Sequence, residues 1–567
     1  MEQAKFSSRR SVVHSPRGIV SSTQPLANAC GIKVLEKGGN AAMAAVAVAA
    51  ALNLVEPMST GVGGDAFAIF YEASTKKVHG INGSGKSPAA SSLDRVREDV
   101  KGPRIPQTSV HAVTVPGAVA AWVDTFNKWG NGKVTLEEAL EPVAQMAENG
   151  VPISCVSANM WAHLVDKLKE ASPNAGELLN EKGEAPKDGE VFVNKPFAEV
   201  IRRIGKDGKD GFYKGPTADA IVEVVKQRGG VLTHEDLEKQ KTLDVDTVSV
   251  DFRGVDLHEL PPNGQGLVAL QALGIIKQLE KRGVVDLDKL EHNSVPYLHL
   301  LVESLKYAFK DAEEYITDIE KLDYDVNNLL KEDYLAERSK LFSTEKANHD
   351  FDHGVIDPAL KCDTVYLSVT DQWGNACSFI NSLFEGFGSA IVPKNTGFSL
   401  QNRGCNFNLV AGTRNAYEPS KRPYHTIIPA MITNAEDKSL YACYGVMGGF
   451  MQPQGHIQVL LNMVLFGFNP QEALDAPRFC LTPDPDYKDE GLGTDTPICT
   501  QNRCIVCVEE GISDEVIKGL EALGHKVKLV TGAKRGLFGR GQVIKQNGKT
   551  FSAGSDLRGD GAAVPFY

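Results

Sequence analysis

The stretch DTVYLSVTDQWGNACSFINSLFEGFG, residues 363–388, reads as two strands around a tight turn. Residues 364–370 are rich in β-branched and aromatic side chains, Gln372-Trp-Gly-Asn375 carries turn chemistry, and residues 376–383 resume the strand pattern. Toward the C-terminus, strands are predicted at 430–433 and 440–446, helices at 454–465 and 514–523, and a hairpin of 542–545 with 550–553 across Asn547-Gly548. Toward the N-terminus the texture is helical. Pro25 suits a first helical turn, Gly38-Gly39 ends that helix, and Asn40 caps a second over 41–53. A Gly61-Val-Gly-Gly64 turn leads into a strand at 66–71 and another near Val78. From residue 115 to 345 the pattern is mostly helical, at 118–129, 136–149, 157–169, 196–204, 219–227 and 294–315, and the polar stretch 343–354 reads as an exposed linker. Helices ahead of Thr364 and strands after it predict helices packed on both faces of antiparallel sheets.

Composition narrows the function classes. The 567 residues carry 60 basic and 72 acidic side chains, a net charge of −12, with 42% hydrophobic and 23% charged residues. That is a globular composition; disordered, collagenous and coiled-coil chains are excluded. The acidic balance argues against a nucleic-acid partner, which would call for a basic face. The most apolar stretch, 41–55, falls short of the roughly 20 residues a bilayer span needs, and residues 1–18 contain no apolar signal core. Ten cysteines are too sparse for a disulfide scaffold. The expectation is a cytoplasmic protein with reduced thiols and no membrane contact.

Several motifs imitate chemistry. Gly80-Ile-Asn-Gly-Ser-Gly85-Lys86-Ser87 matches GxxxxGK[ST] letter for letter and makes a P-loop nucleotide-binding protein the rival reading from another class. A working P-loop needs an apolar strand before it and a helix after it, whose N-terminus receives the phosphates. Here residues 74–79 are polar, Pro88 follows directly, and 89–92 have no apolar face, which argues against a nucleotide site. Gly61-Val-Gly-Gly64-Asp65 is followed by a strand, so it is no dinucleotide fingerprint. Cys504 and Cys507 lie in a strand-like run without a second ligand pair, and read as buried thiols. His292 and His299, seven apart, could share a helical face, with packing the better explanation than ligation. No metal or organic cofactor is implied.

The 363–388 stretch is followed by Gly397-Phe-Ser-Leu-Gln-Asn402-Arg403-Gly404, Arg422-Pro-Tyr-His425-Thr426-Ile-Ile-Pro429 and Met447-Gly448-Gly449. Upstream stand Gly38-Gly-Asn-Ala-Ala-Met-Ala-Ala-Val, Gly61-Val-Gly-Gly64 and Thr114-Val-Pro-Gly117; downstream, Asn469-Pro-Gln-Glu-Ala473 and Ala476-Pro-Arg478-Phe. Together these resemble the γ-glutamyltransferase family of N-terminal-nucleophile hydrolases, the glutathione hydrolases, over nearly the whole chain. The resemblance implies a four-layer αββα sandwich and a zymogen that cuts itself between Asp363 and Thr364, giving a large subunit 1–363 and a small subunit 364–567. It implies Thr364 as nucleophile, Gly448 and Gly449 as the oxyanion hole, Ser382 as a second hydroxyl bonded to the nucleophile, and Asn402 in a stretch lining the site.

The chemistry suits those residue types. A Thr hydroxyl is a poor nucleophile until a base takes its proton. A break before Thr364 would free an α-amino group with a reference pKa of about 7.7–8.0, so one residue would supply nucleophile and base. The reaction implied is acyl transfer from a small-molecule amide, through an acyl-Thr intermediate, to water or an amine. An uncut, inactive scaffold of the same family is the third reading.

The substrate positions depart from the family pattern. Where the family has an Arg for the donor's α-carboxylate, this chain aligns Ser84; where it has an acidic residue for the α-amino group, Asn406; where it has an Asn contact after the nucleophile, Phe384; where it has a Ser pair, His425-Thr426. A zwitterionic γ-glutamyl head would thus lose both charge partners, which is costly on desolvation. Arg403, Lys86 and His425 remain as carboxylate partners. The pattern resembles the acylase and oxamate-amidohydrolase branch more than the glutathione branch, and implies hydrolysis of a small amide bearing an adjacent carboxylate.

Overall fold

A computed structural model describes residues 10–351, 362–484 and 504–567, with backbone only at Cys362 and Asp363. Two seven-stranded sheets form its centre. One runs, edge to edge, Ala562–Phe566, Gly18–Ser22, Cys362–Thr370, Ala376–Glu385, Asp65–Glu72, Lys77–Gly83, Leu243–Val245. The other runs Val13–Ser15, Thr550–Ser555, Arg540–Asn547, Leu440–Met447, Ala430–Asn434, Val255–Glu259, Val248–Phe252. Neighbouring strands are antiparallel throughout both.

The period-2 alternation of side chains sets the layers. Along Cys362–Thr370, Val365, Leu367 and Val369 pack outward into a helix-lined core, while Tyr366 enters the core between the sheets. Along Asp65–Glu72, Ala66, Ala68 and Phe70 face the helices and Phe67, Ile69 and Tyr71 the opposite sheet. In the second sheet Ala430 and Ile432 face helices, and Met431 faces inward. The helix layers are Pro25–Glu36, Ala41–Val55, Ala118–Trp129 and Leu136–Asn149 on one side, and Gly266–Lys281, Val295–Tyr315 and Met451–Val464 on the other. This is the expected αββα sandwich.

Ala41–Val55 shows why small side chains matter. All fifteen of its residues are buried, and Asn40 caps it by accepting from the Met43 N–H. Alanine lets the helix lie between the sheet and its helical neighbours at once.

Several expectations need correction. Within the region read as helical, 243–259 forms three strands; the alternation there spans only three to five residues per strand. Strands also precede the first helix, at Val13–Ser15 and Gly18–Ser22. The helix expected over 157–169 breaks at His163–Leu164 into Cys155–Ala162 and Val165–Ala171. His292 lies ahead of the helix Val295–Tyr315, so it shares no helical face with His299. The stretch read as an exposed linker is docked as far as Phe351: Ala347 and Phe351 are buried, and the Ala347 N–H donates to Leu523 O at 2.7 Å. Its last residues, 352–354, and the Asp363 side chain lie outside what is described. Among the described residues no helix is long and apolar enough to cross a membrane.

Candidate active site

The register between Cys362–Thr370 and Ala376–Glu385 breaks at Thr364. Asp363 opposes Phe384 and Val365 opposes Asn381, so Thr364 faces the two residues Ser382 and Leu383. Such a bulge re-aims side chains at the end of a ladder. Thr364 Oγ1 lies 3.0 Å from Ser382 Oγ, and both residues are fully buried.

Ser382 is held by charge. Its oxygen accepts from the Phe384 N–H at 2.8 Å and from Arg403 Nη2 at 3.2 Å. The Ser382 oxygen thus sits in the field of a guanidinium and shares a hydrogen bond with Thr364 Oγ1 in which either oxygen can be the donor. Arg403 donates through Nη1 to Thr426 Oγ1 at 2.7 Å, and its Cζ sits 4.3 Å from the Phe384 ring centroid. Phe384 has φ +83°, which turns its ring under the guanidinium. Thus Thr364, Ser382, Phe384, Arg403 and Thr426 form one connected group.

Gly448 and Gly449 form the tight turn between the strand Leu440–Met447 and the helix Met451–Val464, at φ +130° and +60°. Their carbonyls accept from the Met451 and Gln452 N–H groups. Among the described residues their own N–H groups have no acceptor, an arrangement suited to receiving an anion. Gln265 Nε2 holds the Gly449 carbonyl at 2.8 Å and the Thr426 carbonyl at 2.7 Å.

His425 is turned away from carboxylate binding. Its Nε2 is 3.0 Å from Asp65 Oδ2, and its Nδ1 accepts from the Ile427 N–H at 3.3 Å, so the proton sits on Nε2 of a neutral ring. Burial, reinforced by the nearby Arg403 charge, lowers its pKa to about 4 against the opposing pull of Asp65. Asp65 Oδ1 accepts from Gly85 N, Gly117 N and Gln401 Nε2, each at 3.0 Å. Sequence reasoning missed Asp65, although it directly follows the quoted glycine turn. That turn needs its glycines: a Cβ on Gly64 would lie 2.1 Å from the Ser382 carbonyl oxygen.

The remaining predicted residues fall elsewhere. Ser84 Oγ accepts from Asn263 Nδ2 at 3.0 Å, and its carbonyl accepts from Arg422 Nε at 3.1 Å. Arg422, also missed, stands beside the position of the absent family Arg, but its charge is matched by Asp318 and Glu320. Lys86 pairs with Glu320 at 2.6 Å. Asn402 accepts from the Glu385 N–H and donates to Gln107 O; Asn406 donates to Tyr424 O at 3.0 Å. Of the three candidate carboxylate partners, only Arg403 belongs to the Thr364 group.

The P-loop letters have no P-loop geometry. Lys77–Gly83 is a strand paired on both sides, and the next helix begins at Leu93, beyond Pro88. Gly85 lets the chain pass Val115, whose carbonyl oxygen a Cβ would meet at 1.6 Å. Cys504 and Cys507 are buried in the strand Cys504–Glu509; Cys499 lies outside the described residues. Among the described residues, His299, Glu303 and His525 bring ligand atoms within 4.8 Å of one another. Protein partners already occupy the group: His299 Nδ1 meets His525 Nε2 at 2.7 Å, and Glu303 takes Lys306 Nζ, Tyr307 OH and Asn348 N. The Lys306 ammonium supplies there the positive charge a cation would bring.

Comparison with known proteins shows the family. Residues 27–566 match the family model for γ-glutamyltranspeptidase. The chain is 34% identical to the glutathione hydrolase-like YwrD proenzyme of Bacillus subtilis strain 168, over 98% of this chain and 99% of that protein. It is 29% identical to the oxamate amidohydrolase proenzyme of Klebsiella pneumoniae, over 97% and 99%. The crystal structure of cephalosporin acylase from Bacillus halodurans superposes with a TM-score of 0.87 at 36% identity, covering 100% of this chain and 98% of that one. With the family model spanning almost the whole sequence, the chain belongs to the γ-glutamyltranspeptidase family.

Proposed function

We propose that this chain is a self-processing amidase with Thr364 as its nucleophile, acting on amides whose acyl group carries a carboxylate. The observation that carries the reading is the buried Thr364–Ser382–Arg403 relay, in which a hydroxyl polarised by a guanidinium faces the Thr364 oxygen at 3.0 Å.

In processing, Thr364 Oγ1 attacks the Asp363 carbonyl carbon, the C–N bond breaks, and an ester joins Asp363 to Thr364. Water cleaves the ester, leaving an Asp363 carboxylate and a free Thr364 amine. In turnover that amine takes the hydroxyl proton as Oγ1 attacks the substrate carbonyl, then passes it to the leaving amine. Water, or a second amine, releases the acyl group. Gly448 and Gly449 N–H groups receive the oxyanion. Both sheets combine strands from before and after Thr364, so the two fragments would remain interlocked after the cut.

Arg403 favours an acyl carboxylate, and Asn406 offers no charge to an α-ammonium. A glutaryl amide, which is a γ-glutamyl amide without its amino group, is therefore the preferred donor over γ-glutamyl; oxamate tests a shorter version. The decisive experiment joins a denaturing gel and mass spectrometry of wild type and Thr364→Ala to a kinetic panel of glutaryl anilide, γ-glutamyl anilide, glutathione and oxamate. Two fragments in wild type, the smaller beginning at Thr364, one chain in the variant, and a higher kcat/KM for the glutaryl anilide are expected. A single uncut wild-type band would make the chain an inactive scaffold, and a strong γ-glutamyl preference would overturn the substrate assignment.

A further inference from the structure

Resting on the reading above, we infer that Gln265 is a positioning residue that locks the Gly448–Gly449 turn in its oxyanion-binding conformation and couples it to the Arg403 side of the site.

Gln265 is fully buried, and both its amide hydrogens and its amide oxygen have partners. Its Nε2 donates both hydrogens, to Thr426 O at 2.7 Å and Gly449 O at 2.8 Å. Its Oε1 accepts from Tyr424 OH at 3.0 Å. The amide orientation follows from chemistry: two carbonyls can be met only by donors, and the Tyr424 hydroxyl then donates to the remaining oxygen. The main chain of Gln265 is fixed as well, its N–H donating to His425 O at 3.1 Å.

The position matters because a Gly-Gly peptide is the easiest backbone unit to flip, glycine having no Cβ to penalise either hand. The Gly449 N–H shares its peptide with the Gly448 carbonyl, which the Met451 N–H holds, and Gln265 holds the next peptide through the Gly449 carbonyl; with both planes pinned, neither can turn a carbonyl to where the oxyanion needs a donor. Two amide hydrogens from one side chain, one on each carbonyl, tie the turn to Thr426. From there Thr426 Oγ1 leads to Arg403, Ser382 and Thr364. The turn and the nucleophile, about 80 positions apart in sequence, are thus connected through a side chain from a third segment.

The test replaces Gln265 with Glu, the same shape without the two donors, and removes the orienting hydroxyl by Tyr424→Phe. Both are compared with wild type, once processed, on whichever anilide wild type turns over. For Gln265→Glu, kcat falls by about 100-fold or more, the range for loss of an oxyanion donor, with KM within about twofold. Tyr424→Phe lowers kcat by about threefold to tenfold, the loss of one neutral hydrogen bond. A boronic acid analogue, which forms a tetrahedral adduct on Thr364, loses affinity in parallel with kcat, whereas glutarate, a ground-state carboxylate, binds unchanged. Should Gln265→Glu fail to fold by circular dichroism, Tyr424→Phe decides. Wild-type kcat in the folded variants, or equal losses for boronate and glutarate, overturns the inference alone. A wild type that is neither cut nor reactive overturns both this inference and the nucleophile assignment.

Discussion

At the residue scale, the site works through contacts a single atom can break. Ser382→Ala removes the hydroxyl that bonds Thr364 Oγ1 and accepts from Arg403, so kcat falls by roughly 10- to 100-fold, the effect of about 1.5–3 kcal/mol for a hydrogen bond tied to charge; steady-state kinetics on the processed variant checks it. Gly64→Ala acts without touching substrate. The added methyl meets the Ser382 carbonyl at 2.1 Å, and the neighbour is backbone, so the bulge around Thr364 must shift. Slowed self-cleavage on a gel time course, with the folded chain retained, is the expected outcome. His425 sets the pH profile by its silence. Its ring stays neutral down to about pH 4, so it contributes no limb between pH 5 and 9. On the proposed mechanism the freed Thr364 amine does, and kcat/KM then rises with pH toward a plateau above about 7.7–8.0. A rate profile that falls across that window would remove the amine from the role of base.

At the element scale, Asp371 joins the turn between Cys362–Thr370 and Ala376–Glu385 to a helix. Its Oδ1 accepts from the Trp373 and Asn375 N–H groups, and its Oδ2 from the Ala41 N–H at the start of Ala41–Val55. A carboxylate on unpaired N–H groups at a helix start suits the helix dipole. Asp371→Ala leaves four donors without it, the three N–H groups and Asn375 Nδ2, and costs about 2–3 kcal/mol of stability, read from urea midpoints of the variant chain. The same elements show what the sequence makes legible. The hairpin 364–383 and the helices 118–129 and 136–149 were readable because each has a full period and its own stop signals. The strands at 243–259 were not, because five residues or fewer give too little alternation to outvote a helical neighbourhood. Within the site, Thr364, Ser382 and the glycine pair are expectations that the family resemblance supplies, and the fold sets Thr364 beside Ser382. Asp65, Gln265 and Arg422 were not foreseen, since the contacts that place them, to His425, Gly449 and Ser84, span 360, 184 and 338 positions and nothing beside them in the chain announces the partner. Charge type makes Lys86 and His425 candidates for a carboxylate, and only the fold shows Glu320 and Asp65 beside them.

At the scale of the whole molecule, the packing of two sheets between helices buries imidazoles as well as hydrocarbon, and that makes stability depend on pH in a definite sense. Burial lowers the pKa of His258 to about 4 and that of His525 to about 3, as it does for His425. Once unfolded, each ring returns to about 6.5. Between those values the unfolded chain binds protons that the folded chain refuses, so stability rises with pH and is lost as pH falls from 6.5 toward 4, by at most about 1.4 kcal/mol per unit for each ring. Glu56, Glu259 and Glu313 work the other way: burial raises their pKa, so the folded form takes up protons first and gains stability on acidification. Comparing a single-histidine variant with its parent cancels the carboxyls. His258 is suitable, because it lies outside the Thr364 group and bonds through Nε2 to Thr433 Oγ1 at 2.9 Å. The parent should be Thr364→Ala, whose single chain keeps unfolding independent of fragment association. At pH 7 His258→Gln is the less stable of the two, having lost that packing and hydrogen bond; as pH falls to 4.5 the gap narrows by about 1 kcal/mol per unit, since the variant no longer carries a ring that the unfolded state can protonate. Urea unfolding at pH 7.0, 5.5 and 4.5 measures the gap directly, and a gap that stays constant or widens on acidification would mean that His258 titrates in the folded protein much as it does in water.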